Sequence, residues 1–203
     1  MQATLRRAFL CAEALLYPAF LCMDLLRIAD STVLKFLSIC LVGLMGALFV
    51  SHNDIRWALV LTVLADVFLL VLDRYYPAGV ALFISVQICY ALYLDEARGL
   101  LPRMICAALA AALFWKAGAL ETLAAVYITL FLCNLIRAGV KRRENPRFFF
   151  GLLLFFCCDI CVGLYHLSAG AAWEFARVAM WGFYLPGQVL ILLSAWKTGG
   201  TNA

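Results

Sequence analysis

The sequence predicts an all-α membrane protein, a bundle of helices that crosses the bilayer about eight times. Of its 203 residues, 67% are hydrophobic and only 14% are charged, which is more apolar surface than a soluble domain can bury. The apolar residues also form long continuous runs, whereas the strands of a membrane barrel alternate apolar and polar residues. Since lipid offers no hydrogen-bond partners to the backbone, such runs cross the bilayer as α-helices.

Eight apolar runs stand between charged or turn-forming residues. A crossing helix needs about 20 residues, so little is left for loops and the whole chain, 1–203, is predicted to form one transmembrane domain. Glu13 interrupts the first run, which we therefore expect to be an uncleaved span rather than a secretory signal. Pro102 and Arg103 open the fifth run, which is the shortest. The predicted spans lie near 8–27, 33–50, 56–72, 77–94, 100–115, 119–137, 148–167 and 173–196.

The distribution of basic residues predicts the orientation. With eight spans, most of the 16 Lys and Arg residues fall on one side of the membrane. Loops rich in Lys and Arg stay in the cytoplasm, so both termini of this multi-pass protein are predicted to be cytoplasmic. The side predicted to face outward receives only Arg27, Lys35, Arg74, Lys116 and Arg177.

The net charge of +4 does not indicate a nucleic-acid partner, because the basic residues stand singly between apolar runs. The exception is a cluster around Lys141 to Arg143, which we expect to face anionic membrane lipids. The only histidines, His52 and His166, lie near span ends, and the nine cysteines lie inside apolar stretches. We therefore expect no metal site, disulfide framework or cofactor. The oligomeric state is left open.

Two intramembrane aspartates stand at matching places in the two halves of the chain. Asp66 lies in the third span and Asp159 in the seventh, and the next span carries a Tyr and a Gln in both cases. This match predicts a weak internal repeat of four plus four spans whose halves run parallel. The Tyr and Gln residues are Gln87 and Tyr90 in the fourth span, and Tyr184 and Gln188 in the eighth.

A carboxylate at the bilayer centre costs about 2.5–3.5 kcal/mol on insertion scales, so such residues are by default functional. The alternative is structural, with each Asp accepting hydrogen bonds that fix the helix packing. Lys35 has two interpretations as well: its ammonium reaches inward to a carboxylate at a binding site, or it extends outward to the lipid headgroups. The buried Gln and Tyr residues are candidate substrate ligands, or else hydrogen-bonding contacts between helices.

Five short motifs, in this order and spacing, resemble the lysoplasmalogenase family of small polytopic proteins, also called YhhN-like. Departures from the family pattern are Phe36 for Pro, Ala65 for Gly, Cys158 for Ser and Gln87 for His. The motifs are VLKFLSI with Lys35, LADVFLL with Asp66, FISVQICYALY with Gln87 and Tyr90, FFCCDICVGL with Asp159, and FYLPGQVLI with Tyr184 and Gln188.

The resemblance implies hydrolysis of the vinyl-ether bond of a lysoplasmalogen, a lysophospholipid substrate, to a fatty aldehyde and a glycerophospho-alcohol. Asp66 and Asp159 would serve as acid and anion, as paired carboxyls do in glycosidases, and which residue takes which role is left open. Two alternatives remain: a small transporter coupled to protons or cations through these carboxylates, and an inactive lipid-binding member of the family in which Gln87 replaces the usual His.

Overall fold

A computed structural model describes residues 2–167 and 169–197 and confirms the all-α prediction. Six of its seven α-helices, all except α3, are long and apolar enough to cross a membrane. A π-helix, Val67–Val71, continues α3. The helices are α1 Gln2–Leu26, α2 Thr32–Phe49, α3 Asn53–Asp66, α4 Tyr76–Phe114, α5 Ala119–Val140, α6 Pro146–Leu167 and α7 Ala171–Ser194.

The first part of α4, up to Glu96, runs parallel to α5. The Asn134 side chain of α5 donates a hydrogen bond to the Gln87 side chain, and Lys141 donates to the carbonyl oxygen of Leu94. Both pairs are 47 residues apart in the chain. A constant separation means that the two segments advance in the same direction.

The chain then reverses at Glu96, whose φ of 54° and ψ of −156° are not helical. Arg103 and Arg137 both bind the carboxylate of Asp95, and Thr122 near the start of α5 donates to the carbonyl oxygen of Phe114. The second part of α4 is therefore antiparallel to α5. The range Tyr76–Phe114 thus consists of two antiparallel helical segments that meet at Glu96 and correspond to the predicted fourth and fifth spans.

Helix α3 has 14 residues, too few to cross a bilayer without the π-helix that extends it. Close packing against α2 holds it in the bundle, because a Cβ atom at Gly43 would collide with Val63 and one at Gly46 would lie 2.6 Å from Leu59. Asp66 is the last residue of α3, where α-helix changes to π-helix. Such transitions are frequent at functional sites. The count of eight crossings stays a prediction.

Residues near the two termini lie at one end of the bundle. The ring of Trp196 stacks on Phe9 near the start of α1 and on Phe49 at the end of α2, and Val50 pairs with Trp196 through the backbone. The described chain therefore begins and ends on the same side, as eight spans require. We call this side the inner end and the opposite side the outer end; the cytoplasmic location of the inner end stays a prediction.

Candidate functional site

Asp66 forms a hydrogen bond with Tyr184, one of the predicted site residues. The tyrosine hydroxyl donates to Asp66 Oδ2 at 2.6 Å, and only 5% of Asp66 is exposed. The contact joins the end of α3 to the middle of α7, two helices that are far apart in the sequence. The fold thus brings together two residues that the sequence singled out separately.

Asp159 has an equivalent partner that sequence reasoning missed. The hydroxyl of Tyr127 in α5 donates to Asp159 Oδ2 at 2.6 Å, and Asp159 is partly buried. One signal was available: α5 and α6 are antiparallel neighbours, and each of these residues lies about two helical turns, roughly 12 Å, from the outer end of its helix. Equal depth on adjacent antiparallel helices predicts contact.

One aromatic cluster connects the two Asp–Tyr pairs. The ring of Phe155 in α6 lies 5.5 Å from the ring of Tyr184 and 5.7 Å from that of Phe83, which in turn lies 6.0 Å from Tyr127. Phe155 also stands one helical turn before Asp159. Both carboxyl groups therefore border the same apolar interior, in the outer half of the bundle.

The hydrogen bonds of the two aspartates do not follow the predicted internal repeat. In a four-plus-four repeat, the third and fourth spans correspond to the seventh and eighth. Asp66 of the third span binds Tyr184 of the eighth, so the repeat would give Asp159 of the seventh span a partner in the fourth. The observed partner, Tyr127, lies in the predicted sixth span. The repeat itself stays a prediction.

Deeper in the core, several buried polar atoms have no hydrogen-bond partner among the residues that the structure describes. Gln87 accepts a hydrogen bond from Asn134 at 3.0 Å through its side-chain oxygen, but its Nε2 is unpaired, as are the Tyr90 hydroxyl and both polar atoms of the Gln188 side chain. Gln87, Tyr90 and Gln188 are 0% exposed, as is Asn134. An unsatisfied buried group costs about 1–3 kcal/mol, so such a set indicates a place for a ligand or water.

Lys35 reaches a carboxylate, but it is that of Asp24 and not that of Asp66. Its ammonium lies 2.8 Å from Asp24 Oδ2 and 5.1 Å from the centre of the Trp181 ring. Trp181 packs edge-on against Tyr184 with 5.3 Å between ring centres. Lys35 therefore stands above the Asp66–Tyr184 pair, on the side of the outer end.

A separate cavity of about 180 Å³ opens near the inner end. Lys141 on its rim lies 14 residues beyond Tyr127, which is about 21 Å along the helix. The cavity is thus too far from the aspartates to belong to their site. Its polar lining consists of His52, Tyr93, Lys141, Glu144 and Asn145.

Comparison with known proteins identifies the family. The model of the YhhN family matches residues 31–195, which is most of the chain and contains both Asp–Tyr pairs. The chain belongs to the YhhN family. This family includes lysoplasmalogenases. No curated protein and no solved structure matches the chain.

All seven site residues predicted from sequence lie within the part of the chain that matches the YhhN model, whereas α1 lies outside it. Asp24 and Glu13, both buried residues of α1, are therefore features of this chain that the family match does not cover. Within the described ranges, no group of three or more His, Cys, Asp or Glu side chains is arranged to hold a metal ion.

Proposed function

We propose that this YhhN protein is a membrane-embedded hydrolase that cleaves the vinyl-ether bond of a lysoplasmalogen-type lipid. One observation carries the proposal: two intramembrane carboxyl groups, each bonded to a tyrosine hydroxyl, border the same apolar interior. An apolar interior suits a fatty chain, and paired carboxyls suit acid-catalysed cleavage of an ether.

The reaction needs an acid, an anion and one water molecule. A carboxylic acid delivers its proton to the vinyl carbon away from oxygen, which gives an oxocarbenium ion. Water adds to the carbon attached to oxygen and loses a proton to a carboxylate, and the resulting hemiacetal collapses to an aldehyde and a glycerophospho-alcohol. Protons and atoms balance without a cofactor.

The two aspartates divide the acid and anion roles between them. One delivers the proton, and the other, as a carboxylate, stabilises the cation and accepts the proton from water. The hydroxyls of Tyr184 and Tyr127 hold the two carboxyls in place through their hydrogen bonds.

Helix α7 does not have the break that would suit a transporter. Transporters commonly interrupt a membrane helix at the binding site, and Pro186 with Gly187 in α7 is a candidate place for such a break. The structure keeps α7 helical from Ala171 to Ser194. A Cβ atom added at Gly187 would lie 3.0 Å from the backbone oxygen of Gly151. The glycine therefore allows α6 and α7 to pack closely.

A panel of lysolipids tests the proposed function. Purified protein in micelles would receive lipids with vinyl-ether, saturated alkyl-ether and acyl chains that share one head group. We expect aldehyde release from the vinyl-ether lipid only, because only this lipid forms an oxocarbenium ion on protonation at carbon. Release of fatty acid from the acyl lipid, or no product from any of them, would contradict the proposal.

Gln87→His tests whether the amide at this position limits the reaction. A histidine ring nitrogen can still accept the hydrogen bond from Asn134 and adds a group that exchanges protons near neutral pH. We expect vinyl-ether hydrolysis to rise about tenfold, measured as kcat/KM. Asn145→His is the control, an amide near the inner end that donates a hydrogen bond to Tyr93, where we expect no gain. A fall in activity with the fold intact would show that the site depends on the Gln87 amide.

A further inference from the structure

Glu13 is a buried carboxyl in the middle of α1. Only 5% of the residue is exposed, and among the described residues neither carboxyl oxygen accepts a hydrogen bond of ordinary geometry. In the sequence, Glu13 stands near the start of the predicted first span, 8–27, which favours a polar contact near the inner membrane surface. In the structure α1 begins at Gln2, so Glu13 lies about 16 Å along the helix from that end, well inside the bundle.

The hydroxyl of Ser38 in α2 faces the Glu13 carboxyl. Ser38 is 0% exposed, and its hydroxyl can donate to only one of the two carboxyl oxygens. Among the described residues, no donor of ordinary geometry is left for the other carboxyl oxygen or for the serine oxygen. An unpaired buried acceptor costs about 1–3 kcal/mol, so the arrangement indicates a ligand that carries a hydrogen-bond donor.

Glu13 and Ser38 lie at the depth of the Asp66–Tyr184 pair. Helices α2 and α7 both run inward from the outer end, where Lys35 contacts the ring of Trp181. Ser38 follows Lys35 by one turn in α2, and Tyr184 follows Trp181 by one turn in α7.

Tyr17 lies one turn after Glu13 in α1, and its hydroxyl donates a hydrogen bond to the carbonyl oxygen of Gly182 at 2.8 Å. Because α1 runs outward, Glu13 lies one turn below Gly182, at the level of Tyr184. The two acceptors thus lie at the depth of the proposed reaction site, on the side of α1 and α2.

We propose that Glu13 and Ser38 bind the free glycerol hydroxyl of a single-chain ether lipid and so select it over a two-chain lipid. In such a lipid this hydroxyl stands on the carbon next to the one that bears the ether oxygen, so an acceptor for it must lie close to the carboxyl that acts on the ether. A second chain on that oxygen removes the donor and leaves the Glu13 carboxyl unpaired. The assignment rests on the proposed function for its ligand class.

The other donor chemistry, the ammonium of a lipid head group, fits this place less well. A head group lies at the membrane surface, and Glu13 lies deeper than Lys35, which is itself one turn inside α2. A carboxyl near the level of the scissile bond therefore meets the glycerol portion of the lipid. The cations at the outer end, Lys35 and Arg177, lie nearer to where a phosphate would be.

The test compares a lysolipid with its 2-deoxy analogue, which lacks only the hydroxyl. Wild-type protein should bind the saturated alkyl-ether lysolipid about 10- to 100-fold more tightly than the 2-deoxy form, the effect of leaving one buried acceptor unpaired. Glu13→Met and Ser38→Ala should each lose most of this preference by binding the hydroxyl lipid more weakly, with little change for the 2-deoxy lipid. Glu121→Gln, an exposed carboxyl in α5, is the control that should keep the preference.

Binding of the saturated ether is measured without any turnover, which separates this inference from the proposed function. A preference that depends on Glu13 supports the inference even if no vinyl-ether lipid is cleaved. An equal preference in wild type and both variants, or none in the wild type, overturns it even if hydrolysis is observed. Should Glu13→Met fail to fold, Ser38→Ala decides alone, because it removes a single oxygen atom.

Discussion

Asp66→Asn and Asp159→Asn should each reduce vinyl-ether hydrolysis by about 100-fold or more. An amide can neither deliver the proton nor stabilise the cation as an anion does. Its side-chain oxygen can still accept the hydrogen bond that Tyr184 or Tyr127 donates at 2.6 Å, so the site keeps its shape. The loss should appear in kcat per folded molecule. The double variant should be little worse than either single one, because the two groups act as a unit.

Stability supplies the second half of this test. Since an amide is cheaper to bury in lipid than a carboxylate, both variants should melt at or above the wild-type temperature in detergent. Asp73→Asn is a matched control: Asp73 also accepts a hydrogen bond from a tyrosine hydroxyl, that of Tyr76, but the pair is exposed at the outer end. It should leave turnover unchanged. Melting far below wild type with unchanged turnover at Asp66 and Asp159 would assign both residues a structural role.

The sequence predicted the fold class because membrane helices leave a strong local signal. Most apolar runs are long enough to identify on their own, and the sequence separates the fourth run from the fifth, between which the structure has the reversal at Glu96. The place of the reversal was not predictable from local pattern. It depends on Asp95, whose cationic partners include Arg137, more than 40 residues away in the chain.

The site was predictable only as far as single residues stand out. A lone Asp in an apolar run is conspicuous. Tyr184 was predicted because it lies near a Gln in the span after Asp159, as Tyr90 does in the span after Asp66. Tyr127 was missed, since one Tyr in an apolar helix has no distinguishing neighbour and acquires its role from contact with Asp159. Two interpretations of Lys35 remained from the sequence, and its contact with the Asp24 carboxylate depends on the arrangement of α1 against α2.

Asp95→Ala should destabilise the protein by about 2 kcal/mol, because it breaks a partly buried cluster of charges. The Asp95 carboxylate binds three cations: Arg103 at 2.8 Å, Arg137 at 2.6 Å and Lys141 at 3.2 Å. Removing it leaves Arg103, with only 7% of its side chain exposed, next to two further positive charges. The expected loss is smaller than for a fully buried pair because Arg137 and Lys141 are partly exposed.

Unfolding in a denaturing detergent, followed by circular dichroism, measures this loss, and Glu174→Gln is the matched control. Glu174 also binds a cation, Arg27, but their side chains are 40% and 63% exposed, and exposed ion pairs contribute little to stability. Asp95→Asn should lie between the two, since it keeps hydrogen-bond acceptance and loses the charge. Because Asp95 directly precedes the reversal at Glu96, its removal should also free the second part of α4 from α5, seen as faster proteolysis near Arg98. Equal stability of Asp95→Ala and wild type would mean that helix packing alone holds the reversal.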